Sequence, residues 1–202
     1  FDLVAEQPIL ADRTGHRGPV DRVAFLPTAA EGDAAPPTRL VSVDDRGACL
    51  AWEVAGRRLR PIASVADGKA RFLAVAARPG PAAFALVAPD RSGTDRLAAF
   101  DASGKAVASL PIEGAEPSAL ALSDDGATAF LAREDGAIAE VALPGGATRE
   151  RARLDSPARW LRPSPLALLA TAGAHVWALP DGGGEPKGMA LDREVGRAAV
   201  SA

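Results

Sequence analysis

Gly, Pro and Asp interrupt this chain before a helix of ordinary length can form, and that punctuation most restricts what it folds into. Between the interruptions lie short apolar runs such as Val20–Leu26, 39–43 and 48–54. Alanine is abundant and favours helix intrinsically, so propensity and punctuation disagree. Punctuation decides, because only 149–154 and 191–200 approach an apolar spacing of helical period. The runs therefore read as strands. They recur at roughly 40–50 residues, the period of stacked supersecondary units.

Laid end to end, the chain divides into one all-β assembly of about four four-stranded antiparallel units, with partial strands at both ends. Residues 1–14 read as the outer strand of a preceding unit and a linker. The units span 15–66, 67–113, 114–155 and 156–193, and 194–202 starts a further one. Residues 28–38 are rich in Ala, Pro, Gly and acid and read as a loop inserted into the first unit. Several runs are continuously apolar rather than alternating, for example Leu120-Ala121-Leu122 and Leu168-Leu169-Ala170. Such runs suit strands buried on both faces.

The first unit carries the most specific pattern. Gly15-His16 precedes an apolar strand ending at Pro27; then come Leu40-Val41-Ser42-Val43, the turn Asp44-Asp45-Arg46-Gly47, and a strand closing on Trp52-Glu53. This resembles one WD40 repeat, the four-stranded blade of a β-propeller, in its degenerate bacterial-type form. The resemblance implies that the whole chain is an arc of a propeller larger than four blades. It implies a structural signature of Gly15, His16, Ser42, Gly47, Trp52 and Glu53, in which His, Ser, Trp and a turn Asp share hydrogen bonds. Counted back from Trp52, Arg46 falls where the family has its Asp, Asp45 stands one residue early, and Glu53 replaces the closing Asp. The acid is thus out of register with the family's network. Phe100 and Val141 take the place of Trp52 in the second and third units, and Trp177 lies near it in the fourth. Trp160 falls in an inner-strand segment and reads as core.

Composition removes several classes of function. The net charge of −3 gives no general surface for nucleic acid or anionic membrane. No apolar run approaches the roughly 18–20 residues needed to cross a bilayer. Cys49 is the single cysteine, set in an apolar strand, so it reads as a buried inert thiol without a disulfide or zinc role. The glycine pairs and triplets lack the Lys-Ser/Thr of a phosphate loop. Ser42, His16 and Asp45 form a possible triad on paper, but the blade network accounts for the same trio. Asp44-Asp45 and Asp124-Asp125 read as turn acids rather than calcium ligands. The reading therefore assigns no catalytic residue, metal or cofactor.

The resemblance implies a non-catalytic scaffold for protein–protein interaction, docking a protein or peptide across the turns on one face. Candidate contact residues are Arg17, Arg22, Asp44, Asp45, Arg46, Arg91, Arg133 and Glu134. Their mixed charge suits a protein better than a nucleic acid. An open arc would also expose a blade face for self-association. The alternative function is part of a quinoprotein-like or lactonase-like propeller hydrolase with its site in the central channel. The Ala-, Arg-, Gly- and Pro-rich composition points to a GC-rich bacterial coding sequence. The expected compartment is the cytoplasm, or the periplasm if a signal preceded Phe1.

Overall fold

Sixteen strands and no helix make up the described residues of the computed structural model, which are 15–29, 37–56, 58–181 and 184–191. The proposed end strands at 1–14 and 194–202 lie outside them. The first sheet is β1 (Val20–Leu26), β2 (Thr38–Asp44), β3 (Ala48–Ala55) and β4 (Arg58–Asp67). The second is β5 (Phe72–Val75), β6 (Phe84–Pro89), β7 (Asp95–Phe100) and β8 (Ala106–Pro111). The third is β9 (Pro117–Leu122), β10 (Thr128–Arg133), β11 (Ala137–Ala142) and β12 (Thr148–Arg153). The fourth is β13 (Ala158–Pro163), β14 (Ala167–Ala172), β15 (His175–Pro180) and β16 (Lys187–Ala190). Each sheet is an antiparallel meander in chain order. The fold is thus all-β, built of four propeller-type blades.

Burial follows position in the blade. The middle strands are paired along both edges; β10 has four consecutive buried residues and β2 five. The outer strands β4, β8, β12 and β16 are mostly exposed or half-buried, and all but β8 carry the Arg or Lys residues that suit a solvated edge. Cys49 is wholly buried, and desolvation pushes its thiol up to about 12, so it stays protonated. The 149–154 segment, which approached a helical spacing, is strand β12 with its last residue just beyond it.

The period-two alternation sorts each sheet into two faces. In the first sheet Val41, Val43 and Cys49 point towards Phe84, Leu86 and Phe100 of the second. The second presents Ala85, Leu97 and Ala99 to Leu122 and Val141 of the third. The third presents Ala121, Phe130 and Ile138 to Leu161, Leu168 and Leu179 of the fourth. The core is therefore three serial joints. A separate small cluster of Leu40, Leu50 and Trp52 lies on the first sheet's other face.

One local device repeats at the hairpins. Residues 44–48, 90–94 and 101–105 all read Asp-x-x-Gly-x. In each, Asp Oδ1 accepts the backbone N–H groups two and four residues on, as Asp101 does from Ser103 (2.8 Å) and Lys105 (3.0 Å). The Gly takes positive φ, 77° at Gly47, 87° at Gly93 and 82° at Gly104, as a bulged three-residue hairpin loop requires.

Candidate functional site

The first blade's outward face holds a buried polar cluster. His16, in the segment leading to β1, places Nε2 2.5 Å from Ser42 Oγ on β2. Trp52 Nε1 on β3 donates to the same oxygen at 2.7 Å. His16 Nδ1 lies 3.3 Å from Asp44 Oδ2, and Asp44 Oδ1 accepts the N–H of Arg46 at 3.0 Å and of Ala48 at 2.8 Å. Burial alone would raise the Asp44 carboxyl, but the Ala48 N–H, His16 and the Arg46 N–H outweigh it and hold the group below its ordinary range. The acid of this network is therefore Asp44. It stands one residue before Asp45 and two before Arg46, the position counted back from Trp52.

This corrects two expectations. An acid does face His16, because the Asp-x-x-Gly-x turn puts its first residue under the sheet end; His16 Nδ1 and Asp44 Oδ2 lie 3.3 Å apart, and neither has a hydrogen-bond partner among the described residues. Asp44 itself is 3 % exposed, so it belongs to the blade interior and offers nothing to a docking partner. The arrangement also has the Ser-His-Asp order of an acyl-transfer triad. It cannot act as one in this state: Ser42 is 3 % exposed, and its oxygen already accepts the Trp52 indole N–H.

In the other sheets the Trp52 place is filled without a network. Register puts Trp52 opposite Leu40, Phe100 opposite Phe84, Val141 opposite Ala129 and Leu179 opposite Leu168. Trp177, expected near that place, lies two residues earlier on the same face and packs against the third sheet. Trp160 is half-buried on the fourth sheet's outward face, opposite Thr171. It is not part of the core. His175 is exposed beside Trp177 at a ring separation of 5.7 Å.

The second-to-third strand turns share one rim with the segments entering and leaving the same sheets. Asp45 N–H donates to Pro19 O, Lys69 N–H to Arg46 O, Glu134 N–H to Glu116 O and Leu154 N–H to Gly136 O. Arg17, Asp45, Arg46, Arg91, Arg133 and Glu134 all sit on this rim; Arg22 is exposed lower on β1, beside Asp21 at 3.3 Å. Charges across the rim stitch successive blades. Arg71 pairs with Asp95 and lies 3.9 Å from Glu116. Arg159 Nη1 lies 2.5 Å from Glu134 Oε1. Arg133 is half-buried, with its Nε unpartnered among the described residues. Arg17, Arg46 and Arg91 are exposed and form no ion pair among the described residues. With Lys69, likewise exposed and in no ion pair among the described residues, they are cations the rim leaves over.

Sequence reading missed the residues that hold blades together by charge. Arg151 lies over the Phe130 ring at 5.6 Å, contacts Glu140 at 3.0 Å, and crosses to Leu179 O, Pro180 O and Asp181 of the fourth sheet. Nothing in the run Thr148-Arg149-Glu150-Arg151 marks which Arg turns inward, since strand alternation puts Arg149 and Arg151 on the same face. On the opposite rim, Arg78, Asp124, Asp125, Ser164 and Asp181 line an open cleft of about 310 Å³ floored by Phe130 and Leu168. Among the described residues no three His, Cys, Asp or Glu groups gather at metal-binding distance, and no helix is long and apolar enough to span a membrane.

No protein-family model matches the chain, and no curated protein matches it. What the structure establishes is the architecture, four antiparallel propeller-type blades.

Proposed function

We propose that this chain is a WD40-like propeller segment acting as a non-catalytic platform for a protein or peptide partner. The observation that carries the reading is the leftover cations Arg46 and Arg91, exposed on turns whose backbones are fixed by internal hydrogen bonds, with Arg17 exposed beside them. A fixed charge loses little freedom on binding, so its contacts are not offset by the ordering of a loop. The surrounding rim alternates in sign, with Asp45 beside Arg46 and Glu134 beside Arg133. That pattern fits an acidic stretch of polypeptide with basic flanks better than the uniform charge of a nucleic acid. The WD40 reading is supported by the cluster of His16, Ser42, Trp52 and Asp44, in which Asp44 takes the acid's role two residues before the position counted back from Trp52.

The test starts from a partner recovered with the tagged chain, identified and purified. Binding is then measured by calorimetry for the wild type and for Arg46→Glu with Arg91→Glu. The expected result is affinity reduced at least tenfold and a weaker salt dependence. Unchanged affinity would remove this rim from the proposed site.

A further inference from the structure

Lys69 is the one non-glycine residue with positive φ, 64°, among the described residues. It lies in the link from β4 to β5, between Gly68 and Ala70. Two main-chain bonds hold that link against the first blade's 44–48 turn. Lys69 N–H donates to Arg46 O at 2.7 Å, and Ala70 N–H donates to Gly47 O at 3.1 Å. The approach is close, since a methyl group on Gly47 would overlap the backbone of both Lys69 and Ala70. Left-handed backbone crowds the Cβ of any residue but glycine. Both bonds use main-chain atoms, so a glycine at 69 would keep them without that crowding. Folding therefore gives no reason for a lysine here.

The charge adds a second cost. Lys69 and Arg46 sit on backbones bonded to each other, both are exposed, and neither forms an ion pair among the described residues. The two nearby acids are engaged elsewhere. The Asp45 carboxylate lies against Gly18, where an added methyl group would overlap it. The Asp67 carboxylate accepts the Ser64 hydroxyl at 3.2 Å. Arg71, two residues further on, is already paired with Asp95. Like charges held side by side repel, most strongly at low salt. Strained backbone and unrelieved charge at one exposed point are what a binding contact retains, because an anion lying against the pair offsets both.

We propose that Lys69 and Arg46 together bind a carboxylate of an acidic peptide segment, with Lys69 as a specificity-determining contact. This rests on the reading of the rim as a docking surface and sharpens it, since the joint between the first two blades receives the partner's acidic residue. The link and the turn are both fixed by main-chain bonds, so binding has only two side chains to order. A segment that presents a cation at this point is repelled.

The experiment measures binding of a fluorescently labelled hexaglutamate peptide by anisotropy at low salt, with hexalysine as the control, and urea stability of the same proteins. Lys69→Gly removes both the charge and the crowding, Lys69→Ala removes the charge alone, and Lys69→Arg keeps the charge. Wild type should bind hexaglutamate and not hexalysine. Lys69→Gly and Lys69→Ala should each weaken hexaglutamate binding about fivefold, the weight of one solvated ion pair, and Lys69→Arg should restore it. Only Lys69→Gly should raise the urea midpoint. Unchanged hexaglutamate affinity in the Gly and Ala variants overturns the proposal, and so does a lower urea midpoint for Lys69→Gly, which would give the side chain a structural role. A wild type that binds neither peptide, or both equally, overturns it as well. The docking reading itself fails on a different result, unchanged affinity of Arg46→Glu with Arg91→Glu for the recovered partner.

Discussion

The first and third blades solve one packing problem with different chemistry. Both have a turn closed by glycine at positive φ, Gly47 and Gly136, at the same distance from the strands that follow. Counting from those glycines, Ser42 matches Leu131, Asp44 matches Arg133 and Trp52 matches Val141. Ser42 and Trp52 are buried and bonded; Leu131 and Val141 are buried and purely apolar. In the third blade the turn acid moves to Asp135, whose carboxylate accepts one backbone N–H, from Ala137, and the Arg153 guanidinium at 3.1 Å. A blade therefore needs the row filled, and the filling can be polar or apolar. The polar version is the more sensitive to loss of a partner, since each one removed strands a buried donor or acceptor.

The largest expected effect follows from this asymmetry. Trp52→Ala removes the largest filler and a donor together and should cost about 3–5 kcal/mol, read from the urea midpoint. Val141→Ala leaves no polar group unpaired and should cost clearly less, about 1–2 kcal/mol. Equal losses would break the comparison. Next, Ser42→Ala strands the Trp52 indole N–H and the His16 ring and should cost about 1–3 kcal/mol, while Leu131→Val costs about 1 kcal/mol.

The turns give a third contrast. A methyl group at Gly126 would overlap the Ala82 carbonyl oxygen, whereas one at Gly93 meets nothing within 4 Å. Both glycines have positive φ. Gly93→Ala should therefore show only the left-handed backbone penalty of about 1–2 kcal/mol, and Gly126→Ala should lower the melting temperature further. Similar shifts would show that backbone conformation alone governs these turns.

Acid is a milder probe. Burial raises the Asp101 carboxyl, but Ser103 and the Lys105 and Ser103 N–H groups outweigh it, leaving it below the ordinary 3.8. A depressed folded value means that the stabilisation is complete above the unfolded value and is lost as pH falls through the folded one. Asp101→Asn should flatten that part of the stability–pH curve, measured by denaturation between pH 2 and about 5. The smallest effect is at the rim: Glu134→Gln breaks an exposed pair with Arg159 and should cost about 0.2–1 kcal/mol, lost in high salt.

Much of the fold was legible because its signals are local. Turn residues mark where strands stop, and apolar runs of strand length mark what lies between; the runs at 20–26, 39–43 and 48–54 match β1, β2 and β3 to within one residue at every end. His16, Ser42 and Trp52 were legible as a set for the same reason. The fourth member was not. Spacing counted from Trp52 pointed to Arg46, while the turn itself chooses its first residue, since only there does a carboxylate reach two backbone N–H groups and the His ring. The Asp-x-x-Gly-x recurrence at 90–94 and 101–105 was the available signal.

The sequence by itself determined strand, turn and period, since each depends on backbone preferences over a few residues. Tertiary structure alone decided which face of each strand meets a neighbour, because alternation gives two faces and no label. It alone decided that Asp44 is buried while Asp45 next to it is exposed, and that Arg151 crosses between blades while Arg149 stays in solvent. Those outcomes depend on what lies across a joint, and residues dozens of positions away supply it.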